Sequence, residues 1–140
     1  MSATPLTPCC KREGETVELD VRAFWSAVLR QDAAAMRGCF CPDAAVCWHN
    51  TNERFTVEEY LRANCEYPGE WEGEIERIVP TGDCIVTVTH VWPRDRSASF
   101  HAVSFFRVSH GKIAALDEYW GNDGPPPTWR QELKIGKSIK

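Results

Sequence analysis

Four extended apolar runs fill the second half of the chain, Trp71 to Val79, Cys84 to Trp92, Ala98 to Val108 and Ile113 to Trp120, and constrain the fold more than any other feature. The segments between them, Pro80-Thr81-Gly82-Asp83, Pro93-Arg94-Asp95-Arg96 and Ser109-His110-Gly111-Lys112, are too short for a crossover connection. Consecutive strands must therefore run antiparallel, as hairpins. A four-stranded meander of this kind has an apolar face that something else in the chain must cover.

The first half supplies the cover. Val17, Val21, Phe24, Trp25, Val28 and Leu29 recur at spacings of three and four and predict a helix of about four turns. Asp32 suits the N-cap of a second, shorter helix through Ala33 to Met36, closed off by Pro42 and Asp43. Ala44 to His49 is short and apolar and reads as a strand. A third helix should start at Thr56, where Thr56 and Glu59 fit a capping box and Phe55 and Tyr60 a hydrophobic staple, and stop near Cys65 or Glu66 ahead of Pro68-Gly69. Gly124-Pro125-Pro126-Pro127 ends regular pairing. The expected class is α+β, three helices packed in a curved antiparallel sheet, in the order ααβαββββ.

Residues 1–14, with Pro5, Pro8 and Gly14 and little periodicity, are expected to be a flexible leader; residues 15–130 form one domain, and 131–140 a C-terminal tail. A formal charge of −4, with no basic stripe, argues against nucleic acid. No apolar run approaches the length of a membrane span or a signal peptide. Seven cysteines, an odd number without a CxxC pair, point to reduced thiols and a cytoplasmic protein. Phosphate-binding glycine loops and HxxxH pairs are absent, and no metal or cofactor is expected. Six tryptophans in 140 residues suggest a tight core or an aromatic cavity.

The element order resembles SnoaL-like members of the nuclear transport factor 2-like superfamily. So do the segments Thr56-Val57-Glu58-Glu59-Tyr60, Tyr67-Pro68-Gly69 with Trp71, Gly111-Lys112-Ile113, Asp117-Glu118-Tyr119-Trp120 and Pro127-Thr128-Trp129-Arg130. The resemblance covers about Glu15 to Arg130. It implies a cone enclosing one deep pocket and a homodimer through the outer face of the sheet. It leaves the chemistry open, because relatives include cyclases, isomerases, dehydratases, an epoxide hydrolase, transport adaptors and dimerisation modules. In ketosteroid isomerase the fold carries a tyrosine donor, a base aspartate and a protonated aspartate. Those positions fall here on Phe24, Trp48 and Ser104, which leaves that enolisation without its groups.

Strand side chains alternate, so Val86, Val88, His90 and Trp92 share one face, as do Ala102, Ser104 and Phe106, and Leu116, Glu118 and Trp120. Both faces are partly apolar, and the resemblance places these even-numbered residues inside the cone. On that orientation Glu118 and His90 are the catalytic candidates. Burial should raise the carboxyl's pKa into a range useful for acid-base work, and an imidazole can shuttle protons. Trp48, Trp92, Ser104, Trp120, Phe24 and Asn50 would contact a small apolar organic ligand. Simple pairing of Glu118 with His90, or a satisfied strand histidine, is the plainer role for each. His101 and Asp117 would face outward, with His90 and His101 pointing apart. The expected function is small-molecule binding, with acid-base catalysis as isomerase, dehydratase, cyclase or hydrolase. The alternative is a non-catalytic carrier or dimerisation and adaptor module.

Overall fold

The computed structural model describes residues 18–140. These residues form helices α1 (Val21–Arg30), α2 (Ala33–Arg37), α3 (Val57–Cys65) and α4 (Thr128–Leu133), and strands β1 (Phe40–Trp48), β2 (Glu53–Thr56), β3 (Trp71–Thr81), β4 (Cys84–Pro93), β5 (Phe100–Ser109) and β6 (Lys112–Asn122). The six strands make one sheet in the order β2-β1-β6-β5-β4-β3. All neighbours are antiparallel except β1 and β6, which run parallel.

The expected meander is β3 to β6. The order ααβαββββ with three helices needs correction at two places. β2 is a short edge strand, Glu53-Arg54-Phe55-Thr56, paired with β1. Its mostly polar sequence carries no apolar alternation, so only the turn between the strands, where Asn52 takes a left-handed φ of 58°, announces a hairpin. α4 follows the proline run and buries none of its residues, so it leaves no apolar stripe; it crosses the expected boundary between domain and tail at residue 130. The expected leader, and the helix start at Val17, lie outside the described residues.

Local chemistry fixes the other helices. α1 starts where the Asp20 carboxylate accepts from the Ala23 N–H at 2.9 Å, and it buries Val21, Phe24, Trp25, Ala27 and Val28 as one stripe. Its C-cap, Gln31, adopts the left-handed conformation and donates its side-chain amide to the carbonyls of Asn64 and Tyr67, each at 2.8 Å, tying the end of α1 to the end of α3. Asp32 caps α2 through the Ala35 N–H. At α3 the Thr56–Glu59 capping box is complete in both directions. Phe55 and Tyr60, flanking that box, both pack edge-on against Trp48.

The helices cover the inner face of the sheet. Val46, Ala102, Phe106, Ile113 and Leu116 meet Phe24, Val28, Met36, Tyr60 and Leu61 there. Gly73 on β3 marks a close approach: a Cβ at this position would sit 2.6 Å from the His90 carbonyl oxygen and 3.3 Å from Leu29. Cys39, Cys47, Cys65 and Cys84 are free thiols, as expected. Cys41 is disulfide-bonded, contrary to the expectation, so the cysteines do not argue for a reducing compartment. Among the described residues no helix is long and apolar enough to cross a membrane.

Candidate functional site: a tryptophan-walled cavity with a buried carboxyl behind it

The strand register sets four side chains in one row across the inner face. Trp48 lies opposite Glu118, Glu118 opposite Ser104, and Ser104 opposite Thr87. Ser104 Oγ donates to one Glu118 carboxyl oxygen at 2.7 Å and the Trp48 indole N–H to the other at 3.0 Å. At the end of the row the Trp25 indole N–H donates to Thr87 Oγ1 at 3.3 Å. The Trp120 indole N–H also faces the Glu118 carboxyl, but closes no regular hydrogen bond.

Glu118 is 1% exposed. Burial raises its pKa, and the hydrogen bonds from Ser104 and Trp48, with the nearby Trp120 N–H, oppose that shift without cancelling it. Tyr60, also buried, has its phenol pushed well up, first by burial and then by the neighbouring Glu118.

In front of this row lies a cavity of about 390 Å³. Its walls are mainly Trp25, Trp48, Trp71, Phe100 and Trp120, with Val28, Leu29 and Val91. Gln31, Asn50, Asn64 and Asn122 bring the polar groups. Asn50 is held by its side-chain oxygen, which accepts the Trp120 backbone N–H at 2.6 Å. Glu118 does not line the cavity; it stands behind Trp48 and Trp120, which do. A more open depression of about 530 Å³ runs along β2 and α3. Its charged residues include the exposed Arg62–Glu66 pair, as expected of a solvated surface.

Of the residues singled out from the sequence, Trp48, Trp120 and Asn50 stand on the cavity wall and Glu118 lies just behind it. Ser104 is fully buried and reaches Glu118 rather than the cavity. Phe24 is core: it is fully buried and packs edge-to-face on Phe106 at 5.4 Å and Phe40 at 5.7 Å. His90 and Trp92 are on the opposite face of the sheet, because β4 presents its odd-numbered residues inward: Thr87 pairs with Ser104 and Thr89 with Ala102. The Trp92 indole N–H donates to Glu72 at 3.0 Å, and the Arg96 guanidinium lies 4.5 Å above its ring. His90 and His101 do not point apart; they are cross-strand partners with stacked rings 4.7 Å apart. Asp117 faces outward as expected, where it meets His49 at 2.7 Å. Trp25, Trp71, Phe100 and Asn122 were not singled out as ligand contacts; Trp25 was legible only as part of a helical stripe.

A sheet wrapped against three helices, with one aromatic cavity between them, defines a cone-shaped α+β domain. Residues 21–116 match the family model of the SnoaL-like domain, and the chain belongs to that family. Solved structures share the fold. A proposed ketosteroid isomerase from Kribbella flavida DSM 17836 superposes with a TM-score of 0.72 at 21% identity, covering 86% of this chain and 87% of that one. An NTF-2 like protein of unknown function from Burkholderia xenovorans LB400 gives 0.70 at 20% identity, covering 86% and 92%. An LEH-like epoxide hydrolase from M. tuberculosis gives 0.60 at 19% identity, covering 72% and 79%. At these identities the likeness is one of fold. No curated protein sequence matches the chain.

Proposed function

We propose that this protein binds a small, mostly apolar organic molecule in the cavity between α1, α3 and the inner face of the sheet. The observation that carries the reading is the cavity itself, about 390 Å³ walled by six aromatic side chains, Tyr67 included, with amide groups among them. That is the size and lining of a small-molecule site. Flat apolar ligands suit indole walls, and the Asn50, Asn64 and Asn122 amides would orient a ligand's polar end.

In this reading Glu118 first serves as a positioning residue: it accepts from Trp48 and faces the Trp120 N–H, so it sets the angle of two wall rings. A second reading adds catalysis, with Glu118 as general acid or base for isomerisation, dehydration, cyclisation or hydrolysis. Its support is a raised carboxyl pKa directly behind the wall, and it requires the Trp48 and Trp120 rings to part. An enzyme of this kind loses turnover and keeps ligand affinity on Glu118→Gln, whereas a carrier binds in both chains and turns over in neither. Enolisation of the ketosteroid isomerase type is not proposed, since Phe24, Trp48 and Ser104 supply no base.

Neutral naphthalene-sized aromatics, titrated against tryptophan emission, test the binding reading. Saturable quenching is expected in the intact chain and its loss in Ala63→Trp, which places a large side chain on the cavity wall. Equal quenching in both chains would dismiss it.

We further infer a homodimer through the outer face of the sheet, in keeping with Phe105 and Tyr119, which are exposed and in edge contact at 6.0 Å. Light scattering at micromolar concentration should give the mass of two chains, and of one chain for Phe105→Glu. A single-chain mass for the unmodified protein would remove the inference.

A further inference from the structure

On the outer face of the sheet, away from the cavity, two histidines and a glutamate converge. The β4–β5 register sets His90 opposite His101, with the rings 8° from parallel and 4.7 Å apart. Glu76 reaches them from β3 because the chain carries a bulge there: Ile75 pairs with Thr89 and Arg77 with Val88, leaving Glu76 as the extra residue. One ligand atom from each of Glu76, His90 and His101 can be chosen so that all lie within 4.8 Å of one another.

We propose that Glu76, His90 and His101 form a binding site for a divalent transition-metal ion, zinc being the best match. The donor set is two imidazoles and one carboxylate, which leaves a fourth position open for water or a ligand, the arrangement common in open zinc sites. Bond lengths of about 2.0–2.2 Å place the donors of a tetrahedral zinc about 3.3–3.6 Å apart. His101 Nε2 and Glu76 Oε2 stand 3.1 Å apart, and the His90 donor, within 4.8 Å of both, would have to close to that spacing on binding.

The surrounding hydrogen bonds orient the rings for this role. His101 Nδ1 donates to Asp123 Oδ1 at 2.7 Å, so its lone pair is at Nε2, facing Glu76. Ser99 gives its own proton to Asp123 at 2.6 Å, so its Oγ accepts from His90 Nε2 at 2.8 Å and the free lone pair of His90 is at Nδ1. Histidines bound to metal usually donate their second N–H to a carboxylate or hydroxyl in this way. A neutral His101 and an ionised Glu76 would then place two acceptors 3.1 Å apart, and the pair needs a positive charge between them. That charge is either a proton on His101 or a metal ion. The Lys140 ammonium, 3.1 Å from Glu76, competes for the same carboxylate and would have to swing aside.

Isothermal titration of zinc chloride into the intact chain at neutral pH, in a buffer that does not chelate zinc, tests the proposal. One equivalent per chain is expected, absent in the His90→Gln/His101→Gln variant and retained in His110→Gln. Asp123→Asn, which removes the carboxylate that orients His101, should weaken binding by about tenfold. Cobalt separates this site from the cysteines: nitrogen and oxygen ligation gives visible bands without an intense near-ultraviolet thiolate band. No binding by the parent, undiminished binding by the double variant, or a thiolate band accounting for the bound cobalt would each overturn the proposal.

Discussion

Glu118→Leu should destabilise the fold by about 2–3 kcal/mol in urea denaturation, while Glu118→Gln should cost less than about 1 kcal/mol. Leucine fills a similar space but accepts no hydrogen bond, so the Trp48 indole N–H and the Ser104 hydroxyl both lose their acceptor. Each buried donor left unpaired costs about 1–3 kcal/mol, which exceeds what is recovered by removing a carboxyl that is already hydrogen-bonded. Glutamine keeps a carbonyl for the indole, and the Ser104 hydroxyl can rotate to accept from the new amide. The ordering of the two variants carries the information. If leucine were as well tolerated as glutamine, the row from Trp48 through Glu118 to Ser104 would not be the hydrogen-bonded element described above.

The same row shows what could be read from the residues alone. On β5 and β6 the inward set, Ala102, Ser104 and Phe106 with Leu116, Glu118 and Trp120, is the set expected from alternation and family resemblance. On β4 the expectation fails, and the reason lies in the β4–β5 connection. Partners across a hairpin share the parity of their residue numbers only when an odd number of residues separates them. Val91 pairs with Phe100, so the intervening residues are even in number and the inward face of β4 is the odd one. Nothing in Pro93-Arg94-Asp95-Arg96 specifies how far pairing continues beyond the turn, so a one-residue change in loop length sends His90 and Trp92 outward. That flip removes His90 from any role in the cavity and sets it beside His101.

Other features resisted reading for simpler physical reasons. The capping box at Thr56 and the stripe on α1 are local, and the folded chain keeps both. β2 and α4 bury too little to leave an apolar pattern. Phe24 and Trp25 lie on one stripe, yet Phe24 is sealed among Phe40 and Phe106 while Trp25 borders the cavity. Periodicity identifies a buried face; which part of that face borders empty space depends on the neighbouring elements. The lining residues Trp71 and Phe100, whose rings lie 6.0 Å apart, sit at strand ends, where alternation says least about surroundings.

Glu118 should also govern part of the pH dependence of stability. Its folded pKa is raised above an ordinary value near 4.5, so between those two values the folded chain holds a proton that the unfolded chain releases. The neutral carboxyl's advantage is present below the unfolded value and declines as pH rises, by up to about 1.4 kcal/mol per pH unit, until the folded pKa is passed. Carboxylates with lowered pKa, such as Asp32, Glu76 and Asp123, act in the opposite sense. They are common to the parent and Glu118→Gln and cancel in the difference. Relative to that variant, the parent should lose stability as pH rises from about 4.5 towards neutrality.

The most direct test is a carbon-13 NMR titration of the glutamate side-chain carboxyls, with Glu118 assigned by its absence from the Glu118→Gln spectrum. A Glu118 midpoint clearly above those of the surface glutamates is the predicted result. A midpoint at or below theirs would contradict a carboxyl held in a dry, indole-lined interior.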